Sequence, residues 1–349
     1  MFADQHRTES YQPWLALYCG VALVFTGFVL LAGGFTTSIQ AGMAFLDWPL
    51  SNGSLNPAGW LDNENMTAEH SHRLLAGTAS LLALGAVVWT HLTEGRRWVR
   101  SVAVMLFLTI LLQALLGGAR VLFDKLNIGG DGNAVAQTFK VLHALGAELT
   151  LCLWVTLFTA ESKAWVQDNL GLLPQTKMLS GVRQWSTAAV ILLLGQIALG
   201  AVVRHFNYAL TIPFFPWLGP DHAWAVPAWN VGVAFNFAHR VGAALVTVAL
   251  AGLAWQVFRD RATRDQLGYN MVTCLAALGV QIFLGALVIW KLKNPDAATA
   301  HLLVGAFLLA STWRLTFLSY RSAWWPPVAD RAAPFWPATP VATAAAPSR

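Results

Sequence analysis

The 349-residue sequence has few charged side chains: Asp, Glu, Lys and Arg together make up 11% of it. Soluble domains carry about 25% of such residues, so the composition excludes an ordinary soluble protein. Hydrophobic residues reach 56%, and the mean hydropathy is +0.53. These values predict a polytopic membrane protein in a lipid bilayer. The formal net charge of +5 is then expected to come from cytoplasmic loops, and no nucleic-acid partner is expected.

Cysteine is also scarce. The three cysteines, Cys19, Cys152 and Cys274, all fall inside apolar segments, where we expect them to act as small packing residues. The sequence has no CxxC and no cysteine spacing typical of a metal site, so we predict no disulfide. The first apolar run is long enough to span a membrane, which favours an uncleaved first helix over a signal peptide.

Eight windows are long and apolar enough for a spanning helix, which needs about 20 residues. They are Trp14–Phe35, His72–Leu92, Val102–Leu122, Leu142–Ala160, Trp185–Val203, Phe235–Phe258, Met271–Trp290 and Ala300–Leu318. Of the 22 Lys and Arg residues, 14 fall on one side of these spans and 6 on the other. The positive-inside rule therefore places both termini in the cytoplasm. We expect a multi-pass protein of the cell (inner) membrane.

An internal repeat divides the chain into two similar halves. Three pairs of segments carry it: "EHSHRLLAG" from Glu69 and "NFAHRVGAA" from Asn236, "QALLGGARV" from Gln113 and "QIFLGALVI" from Gln281, "HALGAELTL" from His143 and "HLLVGAFLL" from His301. The predicted fold is all-α, with two tandem four-helix bundles at 14–160 and 185–320. A cytoplasmic N-terminus (1–13), a cytoplasmic linker (161–184) and a disordered Pro/Ala-rich tail (321–349) complete the chain.

One histidine opens each even-numbered span, so four imidazoles lie at nearly one depth close to the outer surface. They are His72, His143, His239 and His301. Two imidazoles per bundle predict axial ligation of one heme iron in each half. A mononuclear site of all four is the alternative metal geometry, and for any single histidine a hydrogen-bonded structural role is the alternative. We predict no role for His70, because its repeat partner is Phe237.

The two halves differ next to these histidines. Glu69 precedes His72 by three residues, which places the two side chains on one helix face, whereas the second half has Asn236 at that position. A carboxylate near a heme edge predicts acid–base or electrostatic catalysis; a helix N-terminal acid or an ion pair with Arg73 is the alternative. Arg73 and its counterpart Arg240 are predicted to contact heme propionates, or else to extend toward the interface.

Over residues 14 to 320 the sequence resembles the heme A synthase family. Besides Glu-x-x-His-Arg and the later histidines, the first outer loop is similar to a family segment through Gly42, Asp47, Trp48, Pro49, Leu50, Asn52 and Gly53. The resemblance implies oxidation of the C8 methyl of heme O to a formyl group, giving heme A for terminal oxidase assembly. It implies that His72 and His143 hold the substrate heme O, that His239 and His301 ligate a resident heme b, and that Glu69 is the essential acid.

The resemblance also implies partners: a heme O synthase as the source of heme O, and an unidentified membrane electron carrier. It allows a homo-oligomer. In one respect the sequence departs from many bacterial members, which have a cysteine pair where this chain has Phe45 and Ser51. Two other functions stay open on the histidines alone. One is a diheme b-type electron-transfer cytochrome, which gives no reason for Glu69 against Asn236; the other is a heme transporter or chaperone.

Overall fold

The computed structural model describes residues 7–126, 133–167, 177–226 and 228–321, without the side chains of residues 177 and 178. These residues form helices and loops, and no strand is found among them. The predictions for the first six residues and for the tail beyond residue 321 lie outside the described residues.

Eight long helices are long and apolar enough to cross a membrane, which confirms the predicted number of spans. In chain order the helices are α1 Pro13–Ser38, α2 Glu64–Thr93, α3 Arg97–Lys125, α4 Ala134–Glu161, the short α5 Lys163–Val166, α6 Lys177–His205, α7 Val231–Phe258, α8 Arg261–Trp290 and α9 Pro295–Ser319. The protein is therefore an all-helical multi-pass membrane protein.

Helices α2, α4, α7 and α9 begin earlier than the apolar windows predicted. Each starts after an asparagine whose side-chain oxygen accepts a hydrogen bond from a backbone N–H of the first turn: Asn63, Asn133, Asn230 and Asn294. Such a cap stabilises a helix whose first turns are polar, and hydropathy does not detect it. The prediction that the histidines open their helices was therefore wrong, since each lies about two turns inside one.

The long helices pack as two four-helix bundles. In the first, α1 to α4 contact one another in sequence and α4 returns to α1; α6 to α9 do the same in the second. The bundles meet where α4 packs against α6 and α9, and where α1 packs against α9. This arrangement agrees with the predicted architecture, whereas the exact domain limits and the repeat itself stay predictions from the sequence.

Each bundle has its apolar core at the end where α1 begins and α9 ends, the predicted cytoplasmic end. In the first bundle this core includes Leu15, Leu106 and Leu157, all fully buried. In the second it includes Leu179 and Leu253. The four histidines lie beyond these clusters, toward the end that carries the long loops. We call this the outer end; it is where the candidate site lies.

Candidate functional site

The four histidines form two pairs, one in each bundle. His72 of α2 interacts electrostatically with His143 of α4, and His239 of α7 does so with His301 of α9. Within the described part of the chain, no three His, Cys, Asp or Glu side chains are close enough to hold one metal ion. The structure thus supports one histidine pair per bundle and gives no support to a mononuclear four-histidine site.

Each imidazole packs against a glycine of the neighbouring helix α1, α3, α6 or α8. A Cβ atom built on the glycine would lie 2.7 to 3.4 Å from the imidazole Cε1: Gly33 against His72, Gly117 against His143, Gly200 against His239, and Gly285 against His301. Such contacts leave little or no room for a side chain. The four rings are therefore held tightly against backbone on one side.

Three of these glycines are preceded, four residues earlier, by a glutamine that bonds the same histidine. The backbone carbonyl oxygen of Gln113 accepts from Nδ1 of His143 (3.0 Å), and that of Gln281 accepts from Nδ1 of His301 (3.2 Å). A donor role for Nδ1 leaves Nε2 of these two rings as the nitrogen that could bind a metal; the side-chain amide of Gln281 lies 3.3 Å from Nε2 of His301. In the second bundle the amide of Gln196 lies 3.1 Å from Nδ1 of His239.

The fourth position departs from this pattern. Val29 occupies the place of the glutamine four residues before Gly33. Its carbonyl faces His72, but the geometry makes no hydrogen bond, so Nδ1 of His72 is buried without a partner among the described residues. His72 is the ligand candidate with the least support from its neighbours.

Sequence reasoning missed these glycines and glutamines, although Gln113, Gly117, Gln281 and Gly285 all lie in the segments that reveal the repeat. The spacing Gln-x-x-x-Gly, repeated in three helices, was the available signal.

Glu69 connects α2 to the first outer loop. Its Oε2 accepts the backbone N–H of Phe45 at 3.0 Å, and its Oε1 accepts from Nη2 of Arg73 at 2.6 Å. The ion pair considered from the sequence is therefore present. Arg73 also donates to the carbonyl oxygens of Phe45, Asp47 and Leu50. Glu69 and Arg73 together hold the loop over the end of the bundle.

The second bundle uses the matched residues in the same way. Arg240 donates to Oδ1 of Asn236 at 3.0 Å and to the carbonyl oxygens of Trp217 and Ile212. The amide of Asn236 donates to the carbonyl oxygen of Tyr208 at 2.9 Å. Because both guanidinium groups bond to loop carbonyls, the propionate contacts of Arg73 and Arg240 stay predictions.

His70, for which the sequence gave no role, also holds the first outer loop. Its ring is 3% exposed; Nδ1 lies 2.9 Å from Oγ of Ser51, and Nε2 lies 3.2 Å from the carbonyl oxygen of Leu55. Trp60 packs edge-on against the ring at 4.7 Å. Phe237, the counterpart in the second bundle, makes the matching aromatic contact, with Trp229 at 5.4 Å. A histidine in place of phenylalanine was the available signal.

The Asp-Trp-Pro-Leu-x-Asn-Gly segment forms a tight turn in this loop. The carboxylate of Asp47 accepts the N–H groups of Asn52 and Gly53, both at 2.8 Å. Slight burial opposes ionisation, but these bonds and the charge of Arg73 hold the pKa of Asp47 below its usual value. The Trp48 ring of this turn packs against Gly118 of α3.

A family model described as cytochrome oxidase assembly protein, COX15-CtaA, matches residues 14–313. The chain belongs to this family. Relatives named heme A synthase cover most of the chain at low identity. That of Lysinibacillus sphaericus (strain C3-41) is 25% identical over 317 residues, which cover 89% of this chain and 96% of the relative. That of Bacillus licheniformis is 27% identical over 277 residues, 78% and 85% of the two chains. That of Listeria welshimeri is 27% identical over 310 residues, 88% and 94%.

Membership in the COX15-CtaA family confirms the resemblance found in the sequence. It agrees with eight membrane-spanning helices and with a heme-related function for the two histidine pairs. The individual roles of Glu69 and of the four histidines stay predictions, which the geometry supports to different degrees.

Proposed function

We propose that this protein is a heme A synthase, a membrane enzyme that oxidises the C8 methyl group of heme O to a formyl group. The observation that carries the proposal is the placement of four histidines, two per bundle and each packed on a glycine of a neighbouring helix, in a chain whose relatives with this name match it over nearly their full length. An oxidation of a bound heme needs one site for the substrate and one for electron transfer, and the two bundles provide two.

His72 and His143 are proposed to hold heme O, and His239 and His301 to hold a resident heme b. The residues fit a heme: each imidazole is backed by a glycine, and Nδ1 of His72 is buried without a hydrogen-bond partner in the part of the chain that the structure describes. A bound heme supplies one-electron redox chemistry. The assignment of heme b to the second bundle and of heme O to the first follows from the residues that contact each imidazole. In the second bundle the side-chain amide of a glutamine lies beside each ring, Gln196 at 3.1 Å from His239 and Gln281 at 3.3 Å from His301, whereas His72 has Val29 at that position.

Glu69 is proposed as the catalytic residue of the first bundle. It is 4% exposed and lies three residues from His72, on the same helix face. It forms an ion pair with Arg73, and a carboxylate at this place can stabilise positive charge that develops at an oxidised carbon or accept the proton that carbon releases. Asn236 fastens the second loop but lacks a charge, so the second bundle is not equipped for this step.

The outer loops keep water from the sites. The first is held by Glu69, His70 and Arg73, and the second by Asn236 and Arg240. We further propose that the protein lies in the cell (inner) membrane with both termini in the cytoplasm, so that the heme sites are near the outer face. We propose a heme O synthase as the source of heme O and a membrane carrier as the acceptor of electrons. Cross-linking tests whether the protein associates with itself.

The test is expression in cells that make heme O but no heme A, followed by chromatography of the extracted hemes. Heme A, or a hydroxylated heme O, is expected only in cells that express the protein. Unchanged heme O together with bis-histidine heme B spectra from the purified protein would instead identify an electron-transfer cytochrome.

A further inference from the structure

We propose that Arg120 and Lys140 form the receptor for the carboxylate groups of the porphyrin bound in the first bundle. This inference rests on the proposed function, because it requires a heme between His72 and His143.

Both cations lie just outward of the histidine level. Arg120 follows Gly117, the glycine that packs on His143, by three residues of α3. Lys140 precedes His143 by three residues of α4. Helical residues three apart share a face, and three residues rise about 4.5 Å. The two side chains therefore begin about 4.5 Å further toward the outer end than the His143 ring. Arg120 is on the face of α3 that packs against this ring, and Lys140 is on the face of α4 that bears it.

The two cations meet at one carboxylate. Lys140 Nζ lies 3.3 Å from Oδ2 of Asp124, and Nη2 of Arg120 lies 3.9 Å from the same oxygen. The other oxygen of Asp124 accepts from the amide of Asn133 at 3.1 Å. All three charged side chains are about four-fifths buried. One carboxylate thus faces two buried cations. Asp124 alone therefore leaves one of the two positive charges unneutralised.

Arg120 has donors left for a ligand. Its Nη1 donates to the carbonyl oxygen of Gly42, while its Nε is buried without a hydrogen-bond partner among the described residues. Arg120 also interacts electrostatically with His72 and His143. A buried guanidinium with unused N–H groups beside an ammonium is the arrangement that binds carboxylates.

Arg73, which also lies near the first site, is already engaged. Arg73 uses all four of its Nη–H groups for loop carbonyls and Glu69. The second bundle has no such pair at the matched positions, where Val288 and Ala298 stand in place of Arg120 and Lys140. The receptor is therefore specific to the bundle that we assign to the substrate.

The experiment compares binding of iron protoporphyrin IX and of its dimethyl ester to purified protein that retains its resident heme. Absorbance of the second bis-histidine heme reports the affinity. Since a hydrogen bond to a charged group contributes about 10- to 100-fold in affinity, the wild type is expected to prefer the free acid over the ester by about that factor. In the Arg120→Gln/Lys140→Met double variant the preference is expected to disappear, with ester affinity unchanged.

Asp124→Asn gives the opposite result under the proposal: it removes the competing carboxylate, so the preference for the free acid rises. A merely structural role for the cluster predicts no such gain. Lys291→Met, which removes an exposed lysine at the end of α8, is the matched control and should behave as wild type. If the double variant keeps the wild-type preference for the free acid over the ester, the proposal is overturned. The same result is expected if the two cations bind lipid phosphate instead of the porphyrin. Absence of any second bis-histidine heme in the wild type contradicts the proposed function itself.

Discussion

Glu69→Gln tests the catalytic assignment most sharply, because glutamine has nearly the same shape and lacks the charge. The carboxylate accepts two hydrogen bonds, from Phe45 N–H and from Arg73. Glutamine keeps one acceptor oxygen, so the bond from Phe45 N–H, which attaches the loop, either becomes neutral or is lost. With about 1.5–3 kcal/mol for a charge-assisted bond and about 1 kcal/mol for a neutral one, the loop loses about 0.5–3 kcal/mol of attachment. Three other bonds of Arg73 remain.

If Glu69 acts in acid–base or charge stabilisation, conversion of heme O is expected to fall about 100-fold or more. Heme content should stay at the wild-type level, since the four histidines are untouched. The assay is heme chromatography of membranes at matched protein expression. Glu64→Gln, the same change at the exposed start of α2, is the control for the substitution itself.

Loosening of the loop has to be separated from loss of the charge. His70→Phe provides this comparison: it removes the bonds to Ser51 and Leu55, about 2 kcal/mol by the same reasoning, without touching Glu69. We expect His70→Phe to retain activity within about tenfold. Equal losses in both variants, or normal turnover in Glu69→Gln, would show that Glu69 serves the loop and not the reaction.

Three further results are expected. Val29→Gln should place a side-chain amide beside His72, as Gln196 and Gln281 do beside His239 and His301, and so slow the exchange of the first-bundle heme; unchanged exchange would contradict the role of this position. In hydrogen–deuterium exchange, His70→Phe should increase exchange in the first outer loop and not in the second. Gly285→Ala should shift the resident heme spectrum, because its Cβ would lie 3.1 Å from the His301 ring, whereas Gly279→Ala, with open space around it, should not; equal spectra of the two would refute the close packing.

The sequence was sufficient for the helices and the histidine pairs because both leave a strong pattern. Long apolar runs gave eight spans, and the recurrence of His72 as His239 and of His143 as His301 identified matched positions. Helix starts failed because hydropathy windows lose the first polar turns, which an asparagine such as Asn63 stabilises.

The loop contacts could not be predicted from the sequence, for a different reason. Arg73 bonds to the backbone carbonyls of Phe45, Asp47 and Leu50, and a carbonyl carries no residue signature. The positions of such partners depend on the path of the loop between Ser38 and Glu64, which no local pattern fixes. The comparison with Phe237 predicted no role for His70. The difference between histidine and phenylalanine at these matched positions in fact corresponds to the hydrogen bonds by which His70 holds the first loop.

The central claim is that the two bundles hold different hemes, and pigment analysis of two variants tests it most directly. Each variant is expressed with a supply of heme O, purified and extracted. His72→Ala is expected to keep heme B and to lose heme O and heme A, whereas His239→Ala is expected to lose heme B and keep heme O. Loss of the same pigment in both variants, or unchanged heme content in either, would contradict the account.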